Sequence, residues 1–442
     1  MGDNAALTPY RRAVTERFSA SAVLFNPMPS TAELAAFATD VTYDRLPTEI
    51  REAAKRRILD AVGIGIGSIG EGPTDAIRRT VTTQNVTGRS RLWGSDLSAA
   101  PPDAALYNGA LVEVGNGAVF LAPTFGSAHG PAAAILAAAE ARSVPGEAVL
   151  AGLAVAYEIH GELAWNAPID DFHPATHSAI AAAAGAGRTM ELDEEQLASA
   201  IGLAASRATL AVGDEEHAPL AVGTAALSAV YACLLAEGGV VGPESVESPD
   251  SWQDIVGPFD VDLDPGCERV TDAAFRPYDA HPYAQPAIEA AIDLSGDAAL
   301  DPAEIDTVSV ETFADAVPEI DSMALAAALV DRDVAVHPGD RADLEPVADA
   351  VELHAVAELD ERAENGEVPA RVIVTCVDGS VHEGARQWFT GHPATPESWG
   401  DVEEKFHALA DSRYDPERRT KIVDTVRGLE AETAAELSRL LD

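Results

Sequence analysis

Lysine is nearly missing from this chain: only Lys55, Lys405 and Lys421 occur in 442 residues. Acids outnumber bases 73 to 29, giving a formal net charge of −44. A carboxylate excess of this size repels nucleic acid and anionic membranes. It is spread along the sequence rather than gathered in a tail. That pattern predicts a surface kept hydrated in concentrated salt, and a salt-loving cytosol as its setting. Cysteine is scarce as well. Cys233, Cys267 and Cys376 are far apart and form no CxxC pair, which argues against a disulfide framework and against a zinc or iron–sulfur site. Aromatic residues make up only 5%, while the hydrophobic fraction is 47% and rich in alanine. Close-packed helices are favoured over a β-sandwich. HExxH, GxSxG and Walker motifs are absent, which argues against zincins, serine hydrolases and NTPases. The N-terminus lacks a charged-then-apolar leader pattern. The alanine-rich stretches between Pro131 and Ile159 are broken by Glu140, Arg142, Pro145 and Glu147, so a soluble cytoplasmic protein is expected.

The length predicts two domains. Residues 1–30 show no periodicity and read as an N-terminal arm. A helix is predicted from Ser30-Thr31 and another from Pro47-Thr48, with Ile50, Ala54, Ile58, Leu59 and Val62 at helical spacing. Further helices are predicted from Pro131, Gly146, Pro174 and Pro219, and Asp193 with Gln196 forms a capping box. Later the pattern changes. Thr307–Thr312 and Arg371–Val377 alternate as strands, and Asp378-Gly379 is a hairpin turn. From Asp401 the chain is helical again. The expected architecture is mainly α with an α+β lid: a helical domain from 31–265 and 395–442, interrupted by an α+β domain at 266–394.

Several motifs carry chemistry. In Phe275–Pro286, Arg276 and His281 lie five residues apart before an alanine-rich helix. Such a segment offers a guanidinium for a carboxylate and a group that titrates near neutral pH. His173 and His177 stand four apart at a helix start, where the backbone favours anions. A metal site there lacks a third ligand at suitable spacing. His129 directly precedes a long helix. His160 reads as a structural residue on a helix, and His217 as a solvated loop residue. Gly65–Gly70 matches GxGxxG, but a helix rather than a strand precedes it, so it reads as a helix-end turn.

These segments together resemble the MmgE/PrpD family, which includes 2-methylcitrate dehydratase, cis-aconitate decarboxylase and an iminodisuccinate epimerase. The resemblance runs from about Thr31 to Leu440. It rests on Ala54–Gly63, Asn108-Gly109-Ala110, His129, Phe172–Thr176, Leu192–Ala204, Phe275–Ala287, Gly391-His392-Pro393 and Glu404-Lys405-Phe406. It implies a helical domain built from both chain ends, an inserted lid, a homodimer, and no metal or organic cofactor. By the same resemblance His129, His173 and His281 are the catalytic candidates, and Arg276, Thr176 and Gln285 the substrate-binding ones. The chain also departs from the pattern. Gly115–Val119 replaces an Asp-x-x-Asp-Thr run, Ala218 and Ala221 stand where a lysine and a histidine are usual, and Ile320–Met323 replaces Ser-Leu-Pro-Tyr.

The implied chemistry is elimination of water from a small di- or tricarboxylate bearing a hydroxyl. A base removes a proton alpha to a carboxylate, and imidazoles suit this with ordinary pKa values near 6.5. On the sequence, His173 or His281 is the base, His129 a proton-transfer or carboxylate partner, and Arg276 the carboxylate clamp. Epimerisation, decarboxylation and simple binding by a non-catalytic paralogue are the alternatives.

Overall fold

The computed structural model describes residues 30–83, 88–115, 117–121, 126–167, 173–206, 218–243, 260–298, 300, 302–332, 339 and 341–442. The expected arm up to residue 29, Asn116, Phe172 and His217 lie outside them. Two compact units divide the chain: 275–398 forms one, and 30–274 with 399–442 the other. The sequence placed these junctions at 266 and 394. Residues 260–274 stay with the helical unit because they are bonded to it. The Glu158 carboxylate accepts the N–H groups of Asp264 and Arg269, both at 3.0 Å, and Ala274 bridges Val119.

In the helical unit, α1 (Thr31–Asp40) starts at a reciprocal capping box. Ser30 Oγ accepts the Glu33 N–H at 3.2 Å, and the Glu33 carboxylate accepts the Ser30 N–H at 2.6 Å. Helix α2 (Thr48–Gly67) buries Ile58, Leu59 and Val62 fully. Each such side chain stabilises the fold by about 1.5–3 kcal/mol. It stops at Gly67, and Gly70 then turns the chain at φ +92°, so the glycine run is a helix end. There follow α3 (Thr74–Thr83), the short pair β1 (Ser90–Arg91) and β2 (Ser98–Ala99), and α4 (Pro101–Val114). A second short pair, β3 (Val119–Phe120) and β4 (Gly126–Ser127), is antiparallel. Helices α5 (Gly130–Glu140), α6 (Gly146–Asn166), α7 (Ala175–Thr189), α8 (Glu194–Ala205) and α9 (Ala218–Glu237) complete this part.

Alanine and glycine set how closely these helices meet. A Cβ on Gly152 of α6 would lie 2.5 Å from the Gly185 carbonyl oxygen of α7. Thr189 and the Gly185 carbonyl already fill the space beside Gly152, so the two backbones approach closely there. Helix α9 carries no charge from Ala218 to Ala236 and is long and apolar enough to cross a membrane, yet more than half of it is buried among other helices.

The smaller unit has one sheet in the order β6-β5-β7-β8. Its strands are β5 (Ile305–Thr312), β6 (Val351–Ala355), β7 (Ala370–Cys376) and β8 (Val381–Arg386); β5 and β6 are parallel, the other pairs antiparallel. Val308 and Val310 of β5 and Val372 and Val374 of β7 point inward, as period-two alternation requires. They pack with α10 (Gln285–Ala298) and α11 (Ser322–Val330). At the β7–β8 turn Gly379 has φ +86°, and the Asp378 carboxylate accepts the Ser380 N–H at 2.8 Å. The chain then returns to the helical unit as α12 (Trp399–Ala410) and α13 (Pro416–Arg427).

Candidate functional site

The helical unit holds a fully engaged polar chain. Asp60 lies on the inward face of α2, and burial of a lone carboxylate there would be costly. Two partners offset that cost. Lys405 Nζ of α12 donates to Asp60 Oδ1 at 2.8 Å, and His129 Nε2 donates to Oδ2 at 2.7 Å. On the other ring edge, Tyr157 Oη of α6 donates to His129 Nδ1 at 2.8 Å. This tautomer is assigned from the network, because a carboxylate can only accept. Asp60, His129 and Tyr157 are all buried. Burial pushes the Asp60 carboxyl up, but the Lys405 charge and the His129 bond outweigh it and hold the group far below its usual range. Burial keeps His129 below its ordinary value despite Asp60, so the ring is neutral beside an ionised pair.

A second group surrounds the β3–β4 pair and the start of α7. Phe120 of β3 meets the Tyr157 ring edge-on at 6.1 Å and the His160 ring at 5.1 Å. His173, ahead of α7, is half-buried, and its Nδ1 accepts the Ala175 N–H at 3.1 Å. The proton of the neutral ring therefore sits on Nε2, making that edge a donor. Burial lowers the His173 pKa. Thr176 is buried, and its N–H reaches the His173 carbonyl at 2.9 Å. His177 is buried too, and burial, then the neighbouring His160, pushes its pKa down to about 3 against a bond to the Ala167 backbone.

The glycines that interrupt the expected acidic run are packed tightly. A Cβ at Gly115 would lie 2.6 Å from Ile64 Cγ2, and one at Gly117 would lie 2.6 Å from His129 Cδ2. A side chain added at either position requires the Ser68 and Ile64 side chains, or the imidazole, to shift.

In the smaller unit, Arg276 is buried and donates to the Ala280 carbonyl at 3.3 Å. Gln285 opens α10 and spends its amide on the preceding turn. Oε1 accepts the Tyr278 N–H at 3.2 Å, while Nε2 donates to the carbonyls of Tyr278 at 3.1 Å and Ala280 at 2.9 Å. It shapes the Arg276–His281 segment from within. His281 Nδ1 accepts the Tyr283 N–H at 3.2 Å, so here too Nε2 is the donor. Burial and then the Arg276 charge push the His281 pKa down to about 4. The structure thus gathers His129, His173 and Thr176 in the helical unit, and Arg276, His281 and Gln285 in the smaller one. The motif-based reading missed Asp60, Tyr157 and Lys405 as partners of His129. Their positions span 345 residues, and only the burial of a charged residue on an apolar helix face hints at them.

Fold and site together define a mainly helical protein with a small α+β unit inserted in sequence. The chain matches the MmgE/PrpD N-terminal domain over residues 32–258 and the MmgE/PrpD C-terminal domain over 278–430. It belongs to the MmgE/PrpD family, whose members are generally enzymes of lyase or dehydratase-like type. No curated protein matches it.

Proposed function

We propose a cofactor-independent hydro-lyase that acts on a small hydroxy-polycarboxylate, in the manner of a 2-methylcitrate dehydratase. The observation that carries this reading is the Tyr157–His129–Asp60 chain, a base oriented by a carboxylate behind it. Tyr157 Oη takes the proton alpha to a substrate carboxylate as its own proton passes to His129 Nδ1. Asp60 stabilises the imidazolium that forms, and Lys405 holds Asp60 in place. His173, with a donor Nε2 beside the α7 N-terminus, stabilises the charge that builds on the carboxylate. This replaces the role of base that the sequence alone suggests for His173. Thr176 supports that segment. Arg276 is assigned a substrate carboxylate, His281 a hydrogen bond to it, and Gln285 the positioning of both. The proton held on the relay leaves with the substrate hydroxyl as water, which restores the starting state.

A second reading is a non-catalytic carboxylate binder. It is favoured by one fact: Nδ1 of His129, His173 and His281 already accepts a protein hydrogen bond in each case. Incubation with 2-methylcitrate, citrate, isocitrate and cis-aconitate in molar KCl separates the two. Turnover of any of them defeats the binder. Thermal stabilisation without turnover, and without solvent deuterium entering the ligand, defeats the lyase and its epimerase variant.

Salt-loving cytoplasmic life and a homodimer complete the proposal. Leu220 and Tyr231, exposed on one face of the charge-free α9, support self-association where few other surfaces escape like-charge repulsion. Light scattering in molar KCl should give twice the chain mass, and Tyr231→Glu should halve it. A monomeric wild type removes this part.

A further inference from the structure

Among the described residues, His160 differs from the other buried imidazoles of the helical unit in having nothing to bond. Its residue is 1% exposed, and neither Nδ1 nor Nε2 has a hydrogen-bond partner among them. A buried polar group left unbonded destabilises a fold, and nearly all such groups are satisfied in folded proteins. An apolar side chain of similar size would be the more stable choice beside Phe120.

The space in front of the ring is equally unusual. A Cβ on Gly126 of β4 would stand 3.6 Å from His160 Nε2 and 3.5 Å from Pro174 Cβ, both ordinary contact distances. Among the described residues, glycine therefore leaves room for about one heavy atom beside His160 and Pro174. Gly126 is not among the residues with positive φ, so its backbone does not require glycine.

We propose that His160 and the Gly126 gap bind a hydroxyl group of the ligand and select ligands that carry one. The assignment rests on the polycarboxylate reading above and names which part of that ligand enters here. A neutral imidazole offers one N–H and one lone pair, which match a hydroxyl's acceptor and donor. A carboxylate only accepts and would need a cation. Phe120 and the equally buried His177 neighbour the ring, and burial holds His160 neutral with its pKa pushed down to about 3. Sites built to bond a hydroxyl reject analogues that lack it, because the site's own polar group is then stranded.

The test uses the full chain in molar KCl with paired probes: citrate against tricarballylate, which lacks only the hydroxyl, and malate against succinate. Affinity is read by calorimetry and melting by circular dichroism for wild type, His160→Leu, His160→Gln and Gly126→Ala. Wild type should prefer the hydroxy member of a pair by about tenfold or more. His160→Leu and Gly126→Ala should lose that preference, and His160→Gln should keep part of it. Free His160→Leu should melt above wild type by about 2–4 °C, since an unbonded polar group has been removed. Retained preference in His160→Leu overturns the assignment, as does a melt below wild type, because the ring then stabilises the free protein. Failure of the underlying reading looks different. There no probe shifts even the wild type, and the melts alone decide: a higher His160→Leu melt supports the empty gap, a lower one overturns it.

Discussion

His129 touches Tyr157 and His160 touches Phe120, two rings that meet edge-on, yet the surroundings of the two imidazoles could hardly differ more. His129 spends both ring nitrogens, on Asp60 and Tyr157. His160 spends neither. Both are buried in the same alanine-rich interior, so burial alone does not say what a polar side chain is for. A group bonded on both sides is held by the fold, whereas one bonded on neither is free to meet a ligand atom.

The comparison breaks most sharply at Lys405. Lys405→Met leaves the Asp60 charge buried with one partner fewer, and should cost about 3–5 kcal/mol in a denaturant melt. Adding Asp60→Asn to Lys405→Met should return part of that loss, since the stranded charge is gone. Strict additivity of the two would show that the pair is not coupled.

Turnover sharpens the same contrast. Tyr157→Phe removes the relay's contact atom and should lower kcat by about 10²–10⁴-fold while the chain stays folded. An unchanged kcat against a substrate that the wild type converts would take Tyr157 out of the mechanism.

Acid separates the two kinds of site by sign. His160 and His177 have folded pKa values pushed down to about 3 from an ordinary 6.5. The unfolded chain therefore binds protons that the folded one refuses between those values. Each ring should remove about 1.4 kcal/mol of stability per pH unit as the pH falls through that window. Asp60 acts later. Its folded pKa lies below the ordinary 3.8, so its contribution is intact above that value and fades only under stronger acid. Stability measured from pH 7 to 4 should fall less steeply in His160→Leu than in wild type; parallel curves would refute the ring's share.

The smallest effect concerns local structure. Asp193→Ala removes the α8 cap and should cost about 1 kcal/mol, with no change in ligand response.

Much of the fold was legible because its signals are local. Ser30 with Glu33 and Asp193 with Gln196 announce helix starts within four residues. Val308 and Val310 alternate within β5, and Asp378-Gly379 turns between β7 and β8. The site was legible only in outline. Histidines ahead of α5 and α7 could be read from their neighbours. Which ring nitrogens are already spent depends on backbone N–H groups, a tyrosine and an aspartate that no spacing rule names. His160 looked like an ordinary helical residue, because a missing partner leaves no trace in sequence.

The tight seat of Gly115 between Ser68 and Ile64 limits how this corner can be re-engineered. A carboxylate introduced at 115 alone would meet two neighbouring side chains before it met any ligand, so room must be made at Ser68 and Ile64 in the same step.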